Sequence, residues 1–231
     1  MYGGSVAPAG AVGLRTMRGG SYSATPAKEL TLLEIARHGL PWPGNPREVN
    51  AWRAKNFRYL WRGLWRVVIA RLFGLANFYG QLSLAVIRRD GRILDYGLAS
   101  LRVVTDTGVG FIVDAFQNIV ELENMKFHGI GTGGTAEAAA QTALVTELTT
   151  EYNPNSTRAT GSTTEGASAN IYRTVGTNTV DATAAITEHG IFTQGATGGG
   201  VMLDRSLFSV VNLANGDSLQ STYDFTITSG G

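Results

Sequence analysis

The sequence predicts a mainly β protein: an antiparallel β-sandwich or jelly-roll-like module with two short helices, preceded by a helical and disordered N-terminal extension. Three observations carry this. Near the C-terminus Leu219, Tyr223, Phe225 and Ile227 share one parity, interrupted only by Ser221, against Gln220, Thr222, Asp224, Thr226 and Thr228. That is the period of a half-buried strand. Turn signals separate the β-type runs: Arg89-Asp90-Gly91-Arg92, Thr197-Gly198-Gly199-Gly200 and Asn215-Gly216-Asp217. The last is flanked by apolar runs and reads as a hairpin. Finally, the strand-like runs follow one another at the spacing of a sandwich or jelly roll.

Residues 1–24 are glycine-rich and low in complexity, and read as a flexible tail. Residues 25–80 read as a basic helical arm. Thr25-Pro26 supplies an N-cap and a proline at N1 for a helix that runs to about Arg37 and stops at Gly39. Leu40 to Pro46 holds three prolines and reads as a linker. Asn45-Pro46 opens a second helix, Arg47 to Leu75. In it Phe57, Leu60, Trp61, Leu64, Trp65, Val68, Leu72 and Leu75 recur three and four apart, while Lys55, Arg58, Arg62 and Arg66 fall on another face. Gly63 weakens this helix and Gly74 ends it.

Residues 81–231 form the β-rich module. Leu82 to Arg88 and Ile93 to Val104 are hairpin partners. Thr105-Asp106 caps a short helix through Asn118, with Phe111, Ile112, Ala115, Phe116 and Ile119 as its apolar face. Met125 to Ile130 is a strand. The Ala-rich Ala136 to Leu148 reads as a second short helix. Glu151 to Ala169 reads as a long polar loop with a short strand at Arg158 to Ser162. Four strands follow: Asn170 to Val175, Ala184 to Phe192, Val201 to Phe208 and Ser218 to Thr228.

The net charge of +1 hides an asymmetry. Met1 to Arg102 carries 15 Lys+Arg against 5 Asp+Glu; Val103 to Gly231 carries 4 against 13. All four tryptophans (Trp42, Trp52, Trp61, Trp65) lie in the basic part. A basic arm joined to an acidic module suits an acidic neighbour: protein, nucleic acid, anionic lipid, or the acidic half of another copy. With no cysteine the chain has no disulfide framework, thiolate metal site or cysteine nucleophile, which fits an intracellular product or a particle assembled in cytoplasm. Met1 to Gly20 lacks the apolar core of a secretory signal. Leu64 to Ile87 is broken by Arg66, Arg71, Asn77 and Gln81, short of the ~20 apolar residues of a membrane span.

No motif carries a catalytic signature. Gly129-Ile130-Gly131-Thr132-Gly133-Gly134 lacks the Gly-Lys-Ser/Thr of a phosphate-binding loop, and reads as a strand-exit turn. His38, His128 and His189 are far apart in sequence, and structural roles are expected for them. No Gly-x-Ser-x-Gly elbow is present. Glu188-His189 sits in a strand, where neighbours face opposite sides. Glu151 and Glu165 are the only carboxylates of the polar loop. The expectation is a non-enzyme with no cofactor or metal. The candidate partner-binding residues are Trp52, Arg58, Trp61, Arg62, Trp65 and Arg66, on the basic helix. Packing on its own β-module or on a neighbouring subunit is the first reading of that helix. The alternative of another class is a nucleic-acid-binding or membrane-surface protein acting through this basic Trp-rich helix, although nucleic acid is disfavoured as a partner.

A series of motifs occurs in order along the module: Thr105-Asp106-Thr107-Gly108, Phe127-His128-Gly129-Ile130-Gly131-Thr132-Gly133, Arg158-Ala159-Thr160-Gly161, Thr187-Glu188-His189-Gly190-Ile191-Phe192, Met202-Leu203-Asp204-Arg205 and Asn215-Gly216-Asp217-Ser218. From about Leu82 to Gly231 the series resembles tailed-bacteriophage virion structural proteins, which are small β-rich modules of the head decoration, neck or tail. The resemblance implies a capsid decoration (cement) protein that binds the major capsid protein or other virion proteins. It also implies a symmetric homo-oligomer, with a trimer as one form, and location in the virion after assembly in the host cytoplasm. A tail or tail-fibre component is the alternative it leaves.

Overall fold

Two antiparallel sheets, closed along one side by a long helix, account for the alternating and helical periods of the sequence. The computed structural model describes residues 39–75, 77–165 and 168–229. The tail over residues 1–24, the helix expected from Thr25-Pro26 to Arg37, and His38 lie outside the described residues.

Helix α1 spans Arg47–Leu72, about 39 Å at 1.5 Å per residue. The Asn50 N–H donates to the Pro46 carbonyl at 3.1 Å, so the fixed φ of Pro46 leads into the first turn. Gly74, at φ +59, turns the chain away after the last one. Strands β1 (Asn77–Ile87) and β2 (Ile93–Val103) form the expected hairpin, with Gly91 at φ +85 in its turn. Helix α2 (Asp106–Phe116) is capped by Thr105, whose Oγ1 accepts from the Gly108 N–H at 3.0 Å. A 3-10 turn at Leu122–Asn124 leads to β3 (Phe127–Gly131). Then come β4 (Tyr152–Asn153), β5 (Ala159–Thr160), β6 (Ser162–Glu165), β7 (Ile171–Val180), β8 (Ala184–Phe192), β9 (Met202–Leu213) and β10 (Ser218–Thr228).

The larger sheet has the order β2-β1-β10-β7-β4, with β6 also pairing with β7; the smaller is β5-β3-β8-β9. Every pairing is antiparallel. The fold is the mainly β, two-sheet class that the sequence predicts. Its main core holds Leu82, Leu84, Ile186, Phe208, Val211 and Leu219, with Val49 and Trp52 added by α1. Burying each such side chain is worth about 1.5–3 kcal/mol. A second cluster, built on Phe111, Leu203 and Tyr223, seats α2.

Three expectations are corrected. Asn215-Gly216-Asp217 is not a hairpin turn: β9 and β10 belong to different sheets, and the turn arches from one to the other. Asp217 fixes the arch. Its carboxylate accepts from the Ala214 and Arg89 N–H groups at 2.8 and 2.9 Å and pairs with Arg88 at 2.8 Å. Secondly, Ala136 to Leu148 is not helical. Its backbone is claimed by the body of the protein: the Val145 and Thr146 N–H groups donate to Glu188, and the Ala139 carbonyl accepts from the Asp106 N–H. These bonds override the helical preference of alanine. Thirdly, the polar stretch from Glu151 to Ala169 is not a plain loop but contributes β4, β5 and β6 to the two sheets.

Candidate functional site

Helix α1 has one face committed to the fold and one left open. The committed face lies along β2 and β9, the edge strands of the two sheets. Edge strands present unpaired backbone groups, and α1 satisfies them with side chains. Asn56 spans both sheets: its Nδ2 donates to the Ala99 carbonyl at 2.7 Å, and its Oδ1 accepts from the Ser209 N–H at 2.8 Å. Trp52 Nε1 donates to the Ser209 carbonyl at 2.7 Å. Arg53 donates to the Tyr96 and Asp95 carbonyls at 2.9 and 3.2 Å. The Trp52 ring meets Tyr96 edge-on at 4.8 Å. Gly63 lies against β2 where a Cβ would strike the Leu101 carbonyl, so only glycine lets the helix lie this close.

The open face carries two adjacent rows at four-residue spacing. In one, Phe57 and Trp61 have ring centroids 6.1 Å apart, and Trp61 stacks on Trp65 at 6.1 Å with 15° between the planes. Trp61 and Trp65 are 53% and 56% exposed, and the row continues to Ile69. The other row is Arg58, Arg62 and Arg66, all exposed. No ion pair among the described residues engages them. The Arg58 guanidinium lies 4.8 Å from the centre of the Tyr59 ring.

Five of the six sequence-predicted partner residues, Arg58, Trp61, Arg62, Trp65 and Arg66, therefore come together on one exposed face. Trp52 does not: it is buried against β9 and is withdrawn from the candidate surface. The apolar face expected from spacing alone is also divided, since Leu60 is buried with Leu98 and Leu101 while Phe57, Trp61, Trp65 and Leu72 are exposed.

The interior holds polar groups that sequence reasoning did not join. Glu188 pairs with Arg205 at 2.7 Å, both fully enclosed. The same carboxylate accepts from the N–H groups of Gly133, Val145 and Thr146 at 2.8–3.1 Å. The anion held by the glycine loop after β3 is thus the chain's own Glu188. Arg158 pairs with Glu147 at 2.5 Å and lies over the Phe192 ring. His128 Nδ1 and His189 Nε2 lie 3.0 Å apart, and His128 Nε2 meets Thr174 Oγ1 at 3.1 Å. Burial pushes His128 down to about 3; burial and the neighbouring ring push His189 well below its ordinary value. Burial pushes Asp204 up to about 7, against the pull of Ser206 and Arg102. The signal that joins these groups is strand pairing. His128 sits opposite Ile191 and His189 opposite Ile130; Glu188 is diagonal to Arg205 across β8 and β9.

Glu188 and His189, adjacent in β8, serve separate partners, as their opposite directions require. Among the described residues no group of three or more His, Asp or Glu side chains converges as a metal site. No described helix is long and apolar enough to cross a membrane. No family model, curated protein or solved structure matches this chain.

Proposed function

We propose that this chain is a non-enzymatic structural protein of a tailed-bacteriophage particle: a capsid decoration protein that docks on the major capsid lattice through its β-module and the open face of α1. One observation carries the reading. The Phe57–Trp61–Trp65 ladder and the Arg58–Arg62–Arg66 row are exposed side by side on a helix whose other face is bound to two sheet edges. Aromatic and Arg side chains on a rigid support are the groups that dominate protein interfaces when they are desolvated. The ordered motif series from Thr105 to Ser218 supports the phage setting. The commitment of Glu147, Glu188 and Asp217 to internal partners supports a structural role.

The test is binding of the purified chain to phage particles that lack it, by co-sedimentation, followed by cryo-electron microscopy of the complex. Copies spaced regularly on the capsid are the expected result. The double substitution Trp61→Ala/Trp65→Ala is expected to weaken binding about 100-fold or more, as loss of interface anchors does. Its melting temperature stays close to that of the parent, because both rings are more than half exposed. Copies confined to the tail would reassign the chain to the tail. Failure to sediment with any particle would overturn the reading.

A further inference from the structure

A second exposed apolar patch lies on α2 and the segment that follows it. Val109, Val113, Phe116, Ile119 and Leu122 are all exposed, Phe116 to 85% and Ile119 to 64%. The acids set among them are Asp106, Asp114, Glu121 and Glu123, and residues 106–125 contain no Lys or Arg. No ion pair among the described residues uses these four carboxylates. α1 is its counterpart in sign, with seven Lys/Arg (Arg47, Arg53, Lys55, Arg58, Arg62, Arg66, Arg71) against Glu48. Each patch is apolar at its centre and charged at its margin, which is the anatomy of a protein interface. Large apolar patches left open on a soluble surface mark interaction sites.

From this complementarity we infer that the open face of α1 docks on the α2 patch of a second copy of the chain. The aromatic ladder then covers Val113, Phe116 and Ile119, and Arg58, Arg62 and Arg66 meet Asp114, Glu121 and Glu123. The inference rests on the assembly reading above and revises one contact in it: the open face of α1 meets α2 of a second copy in place of the lattice, and lattice binding falls to the strands of the β-module. Opposite charge at the margin sets the orientation and speeds the encounter; the buried apolar groups hold the complex. Because one copy carries both halves, the contact propagates from copy to copy into a closed oligomer or a chain, unless a two-fold axis satisfies both at once.

Charge exchange tests this with the full chain. Three variants are compared with the parent by analytical ultracentrifugation and native mass spectrometry: Arg58→Glu/Arg62→Glu/Arg66→Glu, Asp114→Lys/Glu121→Lys/Glu123→Lys, and all six changes in one chain. Near-ultraviolet circular dichroism confirms that each is folded. The parent is expected to self-associate, about tenfold more weakly when salt is raised from low to molar concentration. Each three-residue variant alone is expected to be monomeric. The six-residue variant, and an equimolar mixture of the two three-residue variants, are expected to associate again. A general loss of solubility or fold does not produce that rescue. A parent that stays monomeric at its highest soluble concentration overturns the pairing, as does a six-residue variant no more associated than either parent of the swap. A monomeric chain that still binds phage particles removes this pairing alone and leaves the structural reading standing. An oligomer that binds no particle does the reverse.

Discussion

His128, His189 and Asp204 set the response of the fold to pH, and they oppose one another. Both imidazoles stay neutral in the folded chain, whereas an unfolded histidine takes up a proton near pH 6.5. Below that pH the unfolded chain binds two protons that the folded one refuses, so stability falls as pH drops from 6.5 toward 3. Asp204 holds its proton up to about pH 7 when folded, against 3.8 when exposed, so its contribution is present below 3.8 and lost as pH rises toward 7. Near pH 5 the two histidines outweigh the one carboxyl, so stability falls on acidification. Asp204→Asn removes the opposing group and is expected to steepen that fall. Urea unfolding at a series of pH values between 5 and 6 measures it, and an unchanged slope would refute the assignment. None of this was legible residue by residue. Histidines 61 positions apart read as unrelated until β3 is laid beside β8.

At the scale of elements, α1 acts as the seal between two sheets. Asn56→Ala would leave the Ala99 carbonyl and the Ser209 N–H buried without partners. Two such orphans cost about 2–6 kcal/mol together. Thermal and urea unfolding are expected to show that loss; a change under about 0.5 kcal/mol, the size of a neutral surface substitution, would deny the seal. The elements themselves were largely legible. β8 and β10 have the bounds expected of them, and β10 owes this to an alternation broken only at Ser221 between clear flanking turns. α1 was legible as a helix, but its buried side was not. The greasiest row faces solvent, since Asn56 and Arg53 reach strand-edge carbonyls and Gly63 permits close approach on the other side. Ala136 to Leu148 was misread because alanine content reports a local preference, while the acceptor that claims its N–H groups, Glu188, lies more than forty residues away. The Asn215-Gly216 signal specified a turn correctly and could not say which sheets it joins. For the candidate surface, the residue types and their spacing were legible; which side of the helix is free depends on the packing.

At the scale of the molecule, the two patches and the charge split distinguish two surfaces, basic and aromatic along α1, acidic and apolar at α2. The order of the larger sheet has a different consequence. β10 lies between β1 and β7, pairing along all eleven residues of β1. The sheet therefore has a gap at its middle until residues 218–228 have been synthesised, and β1 waits for a partner about 140 residues downstream. Contacts of that separation are slow to form and leave strand edges open while they do. A chain halted on the ribosome before Ser218 is expected to remain protease-sensitive through β1 and β7, and to become resistant only once β10 has cleared the exit tunnel. Folding is then a step that follows translation of the module, which gains its rigid form only when β10 has closed the sheet.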